Sequence, residues 1–191
     1  MLNCDVALSY RKEIPADVVD DFINLVSMPN LRLTIEEREK DGPYAGLEWL
    51  LPTAVVVFIC KSYFDGFLKE MGKEHYYLLK KSLKELCRKL LGSDGPRVFK
   101  ITKGKISEPN DYSLVLSVMA DFGGRKKIKL LIQQDASEQE CKEIIDTFLD
   151  FLDNFYNIAP NIKLLEELEK GRGLLLVAFN RDTKTIEQVI I

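Results

Sequence analysis

Residues 49–72 read WLLPTAVVVFICKSYFDGFLKEMG, and the fold turns on whether this apolar run is a membrane span, a buried strand or a core helix. Only 12 residues separate the charges of Glu48 and Lys61, whereas a helix crossing a bilayer needs about 20. A simple span is thereby set aside. TAVVVFIC, 53–60, has the length and β-branched content of a buried strand, and Pro52 ahead of it would not block one. The helical reading explains both ends of the run. Pro52 stands at a first helical position, Gly72 stands just past the last, and Val56, Val57, Cys60, Phe64, Phe67, Leu68 and Met71 lie along one side. Each valine lowers helix propensity by roughly a few tenths of a kcal/mol, which tertiary burial overrides. After Gly72, Leu79, Leu83, Leu86 and Leu90 continue at helical spacing to a stop at Gly92. The pattern therefore predicts a central helical hairpin over 52–91, with a strand at 53–60 as the competing reading.

Upstream, CDVALSY at 4–10 alternates as a strand does, and Pro15 opens a helix carrying Val19, Phe22, Ile23 and Val26 on one face. LRLTIEE at 31–37 sets Leu31, Leu33 and Ile35 against Arg32, Thr34 and Glu36, a strand with one wet face. The chain thus opens as a β-α-β unit. Downstream, 112–122 and 127–134 flank Gly123-Gly124 as a hairpin. Ser137 and Glu140 make a capping-box pattern ahead of a helix over 137–157, whose face carries Cys141, Ile144, Ile145, Phe148, Leu152 and Phe155. A shorter helix at 162–170 stops at Gly171, and LLLVAFN and TIEQVII flank RDTK as a last hairpin. The fold class is α+β: an N-terminal β-α-β unit, the helical hairpin, and C-terminal antiparallel hairpins with a packed amphipathic helix, gathered in one mixed sheet. GSDGP at 92–96 is the candidate boundary between 1–91 and 92–191, unless the two halves form a single domain.

The first residues carry no basic stretch ahead of an apolar one, so a secretory signal is not expected and the cytoplasm is. Cys4, Cys60, Cys87 and Cys141 form no CxxC or Cys/His spacing, which argues against a zinc site and for reduced, buried thiols. No glycine-rich phosphate loop and no nucleophile elbow is present, and neither a cofactor nor a metal is expected.

Charge is the most informative remaining signal. The net charge is −3, yet residues 61–129 carry +8 and the flanks −11. Such asymmetry makes an anion-attracting face or lets acidic flanks pack beside a basic middle, the second being the expectation. The candidate anion-binding residues are Lys80, Lys81, Lys84 and Arg88, with Lys89, on the polar side of one helix, and Arg125, Lys126 and Lys127, with Lys129, at the hairpin turn. Tyr76 and Tyr77 are the aromatics nearest to them. Glu143, Asp146, Asp150 and Asp153 share a helix face that is either solvated or a cation site. His75, the one histidine, is expected in a surface or hydrogen-bonded structural role.

If 53–60 is a strand, the order CDVALSYR, helix, LRLTIEEREKDGP, short helix, TAVVVFICKSYF, helix is similar to the start of Toll/interleukin-receptor-like (TIR) domains, over residues 4–71. That resemblance implies an enzyme cleaving a nicotinamide nucleotide. Glu70 is the nearest match to the catalytic glutamate of such members, although the Trp-Cys pair usual before it is absent and Phe67-Leu68 stand nearby. The leading expectation is a non-enzymatic binding module acting by self-association or by docking a protein partner. A membrane-active effector using the apolar hairpin 49–91 is the other alternative. An anionic ligand or membrane surface is a possible partner, and nucleic acid is the weaker class.

Overall fold

The computed structural model of the protein describes residues 4–39, 53–71, 73–92, 95–96, 101–102, 105–106, 111–123, 126–157, 166, 168 and 173–189. The chain begins with strand β1 (Val6–Arg11), helix α1 (Ala16–Val26) and strand β2 (Leu33–Arg38), and β1 and β2 pair in parallel. This is the expected β-α-β unit. Pro15 sits at the N-cap of α1 rather than inside it, and Val19, Phe22 and Val26 are buried. β2 is an edge strand whose apolar face is only half covered, with Ile35 45% exposed.

The decisive stretch corrects the expected helical hairpin over 52–91. Val55–Cys60 is a strand, β3, so of the hairpin's first arm only the residues after it are helical, while its second arm forms as a helix. β3 lies between β1 and a later strand, and five of its six residues are buried. A strand covered on both faces loses the period of two, so its valines were equally consistent with one side of a helix. Past β3 the chain turns through a π-helical segment (Tyr63–Phe67) into a short helix α2 (Leu68–Met71) and the long helix α3 (Lys73–Leu91). Leu79, Leu83, Leu86 and Leu90 form the buried stripe of α3. Gly92 ends it with its N–H on the Arg88 carbonyl, where a Cβ would come within 2.5 Å of that oxygen. Pro52, Gly72 and residues 93–94 of the candidate hinge lie outside the described residues.

Strands β4 (Ile101–Thr102) and β5 (Lys105–Ile106) pair as a separate small ladder. Strands β6 (Tyr112–Asp121) and β7 (Lys127–Gln133) form the expected antiparallel hairpin, with Gly123 at φ 76° in its turn. Helix α4 (Glu138–Asn157) starts where Ser137 Oγ accepts the Glu140 N–H at 3.2 Å. Only one half of the capping box forms that way, because the Glu140 carboxylate is bound by Arg181. Strands β8 (Leu174–Asn180) and β9 (Thr185–Gln188) close the chain as an antiparallel hairpin. Of the expected helix at 162–170, residues 166 and 168 are helical and the others lie outside the described residues.

One mixed sheet in the order β2-β1-β3-β6-β7-β8-β9 runs through both halves of the chain, joined by the parallel pair β3/β6. The fold is α+β. Three parallel pairs, β1/β2, β3/β6 and β7/β8, are each bridged by helix and set antiparallel to one another. In a doubly wound sheet, strands ordered 2-1-3 run parallel. Here β3 runs antiparallel to β1, so the likeness of residues 4–71 to the opening of a TIR domain is one of element order and not of strand direction. Side chains of α1, α3 and α4 share one core with Val6, Leu8, Val57, Ile59, Leu116, Val118, Leu130 and Val177 of the sheet. The opposite face, with Ser9, Cys60, Ser117, Lys129, Leu131 and Ala178, is buried as well. Among the described residues no helix is long and apolar enough to cross a membrane. Val55–Cys60, within the hairpin 49–91 that the membrane-active reading would insert, is a central strand.

Candidate functional site

α3 and α4 pack side by side, and the charges their apolar stripes leave outward meet across the seam. Lys80 pairs with Asp150 and lies 3.8 Å from Asp146, while Lys84 pairs with Asp146. Tyr76 donates to the same Asp150 at 3.0 Å, and the Lys80 ammonium stands 5.0 Å from the Tyr76 ring centroid. The Tyr76 hydroxyl is pushed well above its ordinary pKa by burial first and then by the Asp150 carboxylate. Above this seam lies a groove of about 560 Å³ lined by Tyr77, Lys80, Lys81, Lys84, Glu85, Lys142, Asp146 and Asp150. Tyr76 is buried beneath it and Tyr77 is 65% exposed, as expected for neighbours on a helix that cannot share one face.

The candidate anion-binding residues thus divide. Lys80 and Lys84 face carboxylates of α4, Arg88 binds Glu85 one turn before it, and Lys89 binds Asp21 of α1. Lys81 is exposed at the groove. Lys126 and Lys127 lie at the β6/β7 turn, far along the chain from α3, and Arg125 lies outside the described residues. Four of these candidate side chains therefore have a carboxylate beside them, three of the carboxylates lying on the acidic flanks. The acidic stripe of α4 is the other half of the same pairing: Asp146 and Asp150 hold lysines of α3, and Glu143 holds Lys184. Among the described residues no His, Cys, Asp or Glu group has the arrangement of a metal site. Glu70 has its backbone in α2, and its side chain lies outside the described residues.

Two residues sit where their neighbours in sequence gave no sign of it. His75 is fully buried, with Nε2 2.8 Å from the Val26 carbonyl and Nδ1 3.0 Å from the Tyr63 hydroxyl. A carbonyl only accepts, so Nε2 carries the proton and Nδ1 accepts from Tyr63. Burial holds the imidazole below its ordinary pKa, against the opposing bond to Val26. Of the two roles expected for His75, on the surface or hydrogen-bonded in the structure, burial excludes the first and the geometry provides the second. Lys129, read from sequence as part of a basic turn, stands within β7 on the sheet face away from the helices and is fully buried. Burial, with the nearby Arg38 charge second, pushes its pKa down to about 8. On the same face Thr53 and Ser117 share a hydrogen bond at 2.9 Å, and Arg38 donates to the Thr53 carbonyl at 3.1 Å. The alternation of Lys127 and Lys129 with Ile128 and Leu130 signals a strand, but nothing in it tells whether the second face is covered.

No family model matches this chain, and neither a curated protein nor a solved structure matches it.

Proposed function

We propose that the protein works as a binding module, docking a second copy of itself or another protein at the groove between α3 and α4. The observation that carries this reading is Tyr77. It is a large aromatic side chain, 65% exposed, at a groove whose walls hold both signs of charge. Exposed tyrosines flanked by charge are the common energetic anchors of protein interfaces, since they contribute area with little side-chain entropy to lose. The walls suit a polypeptide better than a polyanion. A phosphate would have to compete with the Asp146 and Asp150 carboxylates for Lys80 and Lys84.

The test is the association state of the whole protein across concentration, by sedimentation velocity, for wild type and for Tyr77→Ala with Lys81→Glu. Self-association that the double variant abolishes, with the melting temperature unchanged, supports the reading. If wild type stays monomeric, a photo-crosslinking residue at position 77 tests for a partner in extract of the native cell, with the same residue at exposed Glu39 as control. A monomer that captures nothing specific to position 77 removes the proposal.

A further inference from the structure

Cys4 and Cys60, 56 residues apart in sequence, are both buried and free, and their sulfurs lie 3.4 Å from each other. The sheet builds this proximity. β1 and β3 run antiparallel with Val6 opposite Ile59, which brings the residues just before β1 beside the last residue of β3. The backbone on both sides is pinned: Cys60 N–H donates to the Asp5 carbonyl at 2.9 Å, and the Ser62 hydroxyl donates to the Cys4 carbonyl at 2.9 Å. Ala7 and Phe58 complete a small apolar nest around the two thiols, separate from the main core.

We propose that Cys4 and Cys60 are a reversible oxidation site, closing to an intramolecular disulfide with a peroxide as the oxidant. A disulfide bond is about 2.05 Å long, so the sulfurs must close by about 1.3 Å from their present spacing, a movement that side-chain rotation supplies. Burial first, then the neighbouring Cys4 and the Asp121 and Asp5 carboxylates, pushes the Cys60 thiol well above its ordinary pKa. One of the two thiolates attacks a peroxide oxygen, the O–O bond breaks, and hydroxide departs and is protonated to water, leaving a sulfenic acid on that cysteine. The sulfur of the other then attacks the oxidised sulfur, its proton leaves with the sulfenic hydroxyl as a second water, and the S–S bond forms. Two electrons pass from the thiols to the peroxide. The same burial makes the first step slow, because the thiolate is the reactive form. A thiol kept protonated also leaves a disulfide hard to reduce, since it is a poor leaving group.

The test treats the whole wild-type protein with hydrogen peroxide, blocks the remaining thiols by alkylation and maps the unreduced peptides by mass spectrometry. The expected result is a Cys4–Cys60 linked peptide that dithiothreitol separates, together with a melting temperature higher by on the order of 5 °C. With its partner replaced, the remaining cysteine of the pair, in Cys60→Ser or in Cys4→Ser, should stop at a sulfenic acid that reacts with dimedone. A Cys87→Ser, Cys141→Ser protein should still form the link, which separates it from exchange with the other thiols. Recovery of Cys4 and Cys60 both alkylated from peroxide-treated, folded wild type overturns the proposal, whatever the single variants do.

Discussion

His75 donates through Nε2 to the carbonyl of Val26 at 2.8 Å, so a side chain at the start of α3 holds a carbonyl at the last residue of α1. The bond also sets the other nitrogen's role, leaving Nδ1 to accept from Tyr63 of the π-helical turn at 3.0 Å. Three elements meet on one neutral ring.

This ring gives stability a pH dependence. Burial lowers its folded pKa below the ordinary 6.5, so the unfolded chain takes up the proton first as pH falls. Stability should be complete above pH 6.5 and decline as pH falls from there toward the folded pKa. Thermal melts from pH 8 to pH 5 should show this decline in wild type and a weaker one in His75→Gln. Tyr63→Phe, which leaves Nδ1 buried without its donor, should cost about 1–3 kcal/mol at neutral pH. Equal pH slopes for wild type and His75→Gln would remove the argument.

Phe64 is fully buried, stacked on Tyr156 with ring centroids 4.4 Å apart. Phe64→Ala should cost about 3–5 kcal/mol in denaturant unfolding, through lost burial and a cavity that the rigid sheet beneath cannot close. A loss under about 1 kcal/mol would mean that the π-helical turn is not a fixed part of the core.

Lys80 and Lys84 should matter little to stability, because Asp146 and Asp150 keep 39% and 58% of their side chains exposed to screening water. Lys80→Gln and Lys84→Gln together should cost on the order of 1 kcal/mol, less at high salt, and Lys81→Gln less than about 0.5 kcal/mol. Because their charges already face carboxylates, wild type should bind neither DNA nor anionic vesicles with a steep salt dependence. Tight binding at low salt that Lys80→Gln, Lys81→Gln and Lys84→Gln together abolish would establish an anion-binding face instead.

Lys129 should act in the alkaline range. Its folded pKa of about 8 lies below the ordinary 10.5, so between these values the unfolded chain holds more protons and stability rises with pH. Lys129→Met lacks this term. The stability of wild type relative to that variant should therefore grow from pH 8 to pH 10, measured by urea unfolding. Parallel curves would count against a buried, proton-shedding lysine.

Much of this architecture was legible wherever one face of an element is wet. α1, β2 and α4 follow from alternation or helical spacing, because exposed residues such as Thr34 or Glu138 punctuate the apolar ones, whereas β6, β7 and β8 are covered on both faces and were marked by the turn residues between the strands, Gly123 and RDTK. Where both faces are covered the punctuation is gone, and Val55–Cys60 could not be told from a helix by period alone. The same covering hid Lys129, whose alternation promised solvent. The charge asymmetry was readable as possible internal pairing, but not which lysine meets which aspartate. That depends on how α4 lies against α3, a contact between residues some 70 positions apart. The proximity of Cys4 and Cys60 is equally invisible before β1 and β3 are known to be neighbours running in opposite directions.

The order of synthesis gives the central place of β3 a further cost. Its partners are β1, made before it, and β6, which ends only at Asp121. A chain released from the ribosome at about residue 110 would present VVVFIC with one row of amides and carbonyls unmatched, uncharged and rich in β-branched side chains, the composition that adds strands from other molecules. Truncation or stalling between β3 and β6 should thus yield aggregates rather than a folded N-terminal half, while the same strand in the finished protein is sealed on both sides.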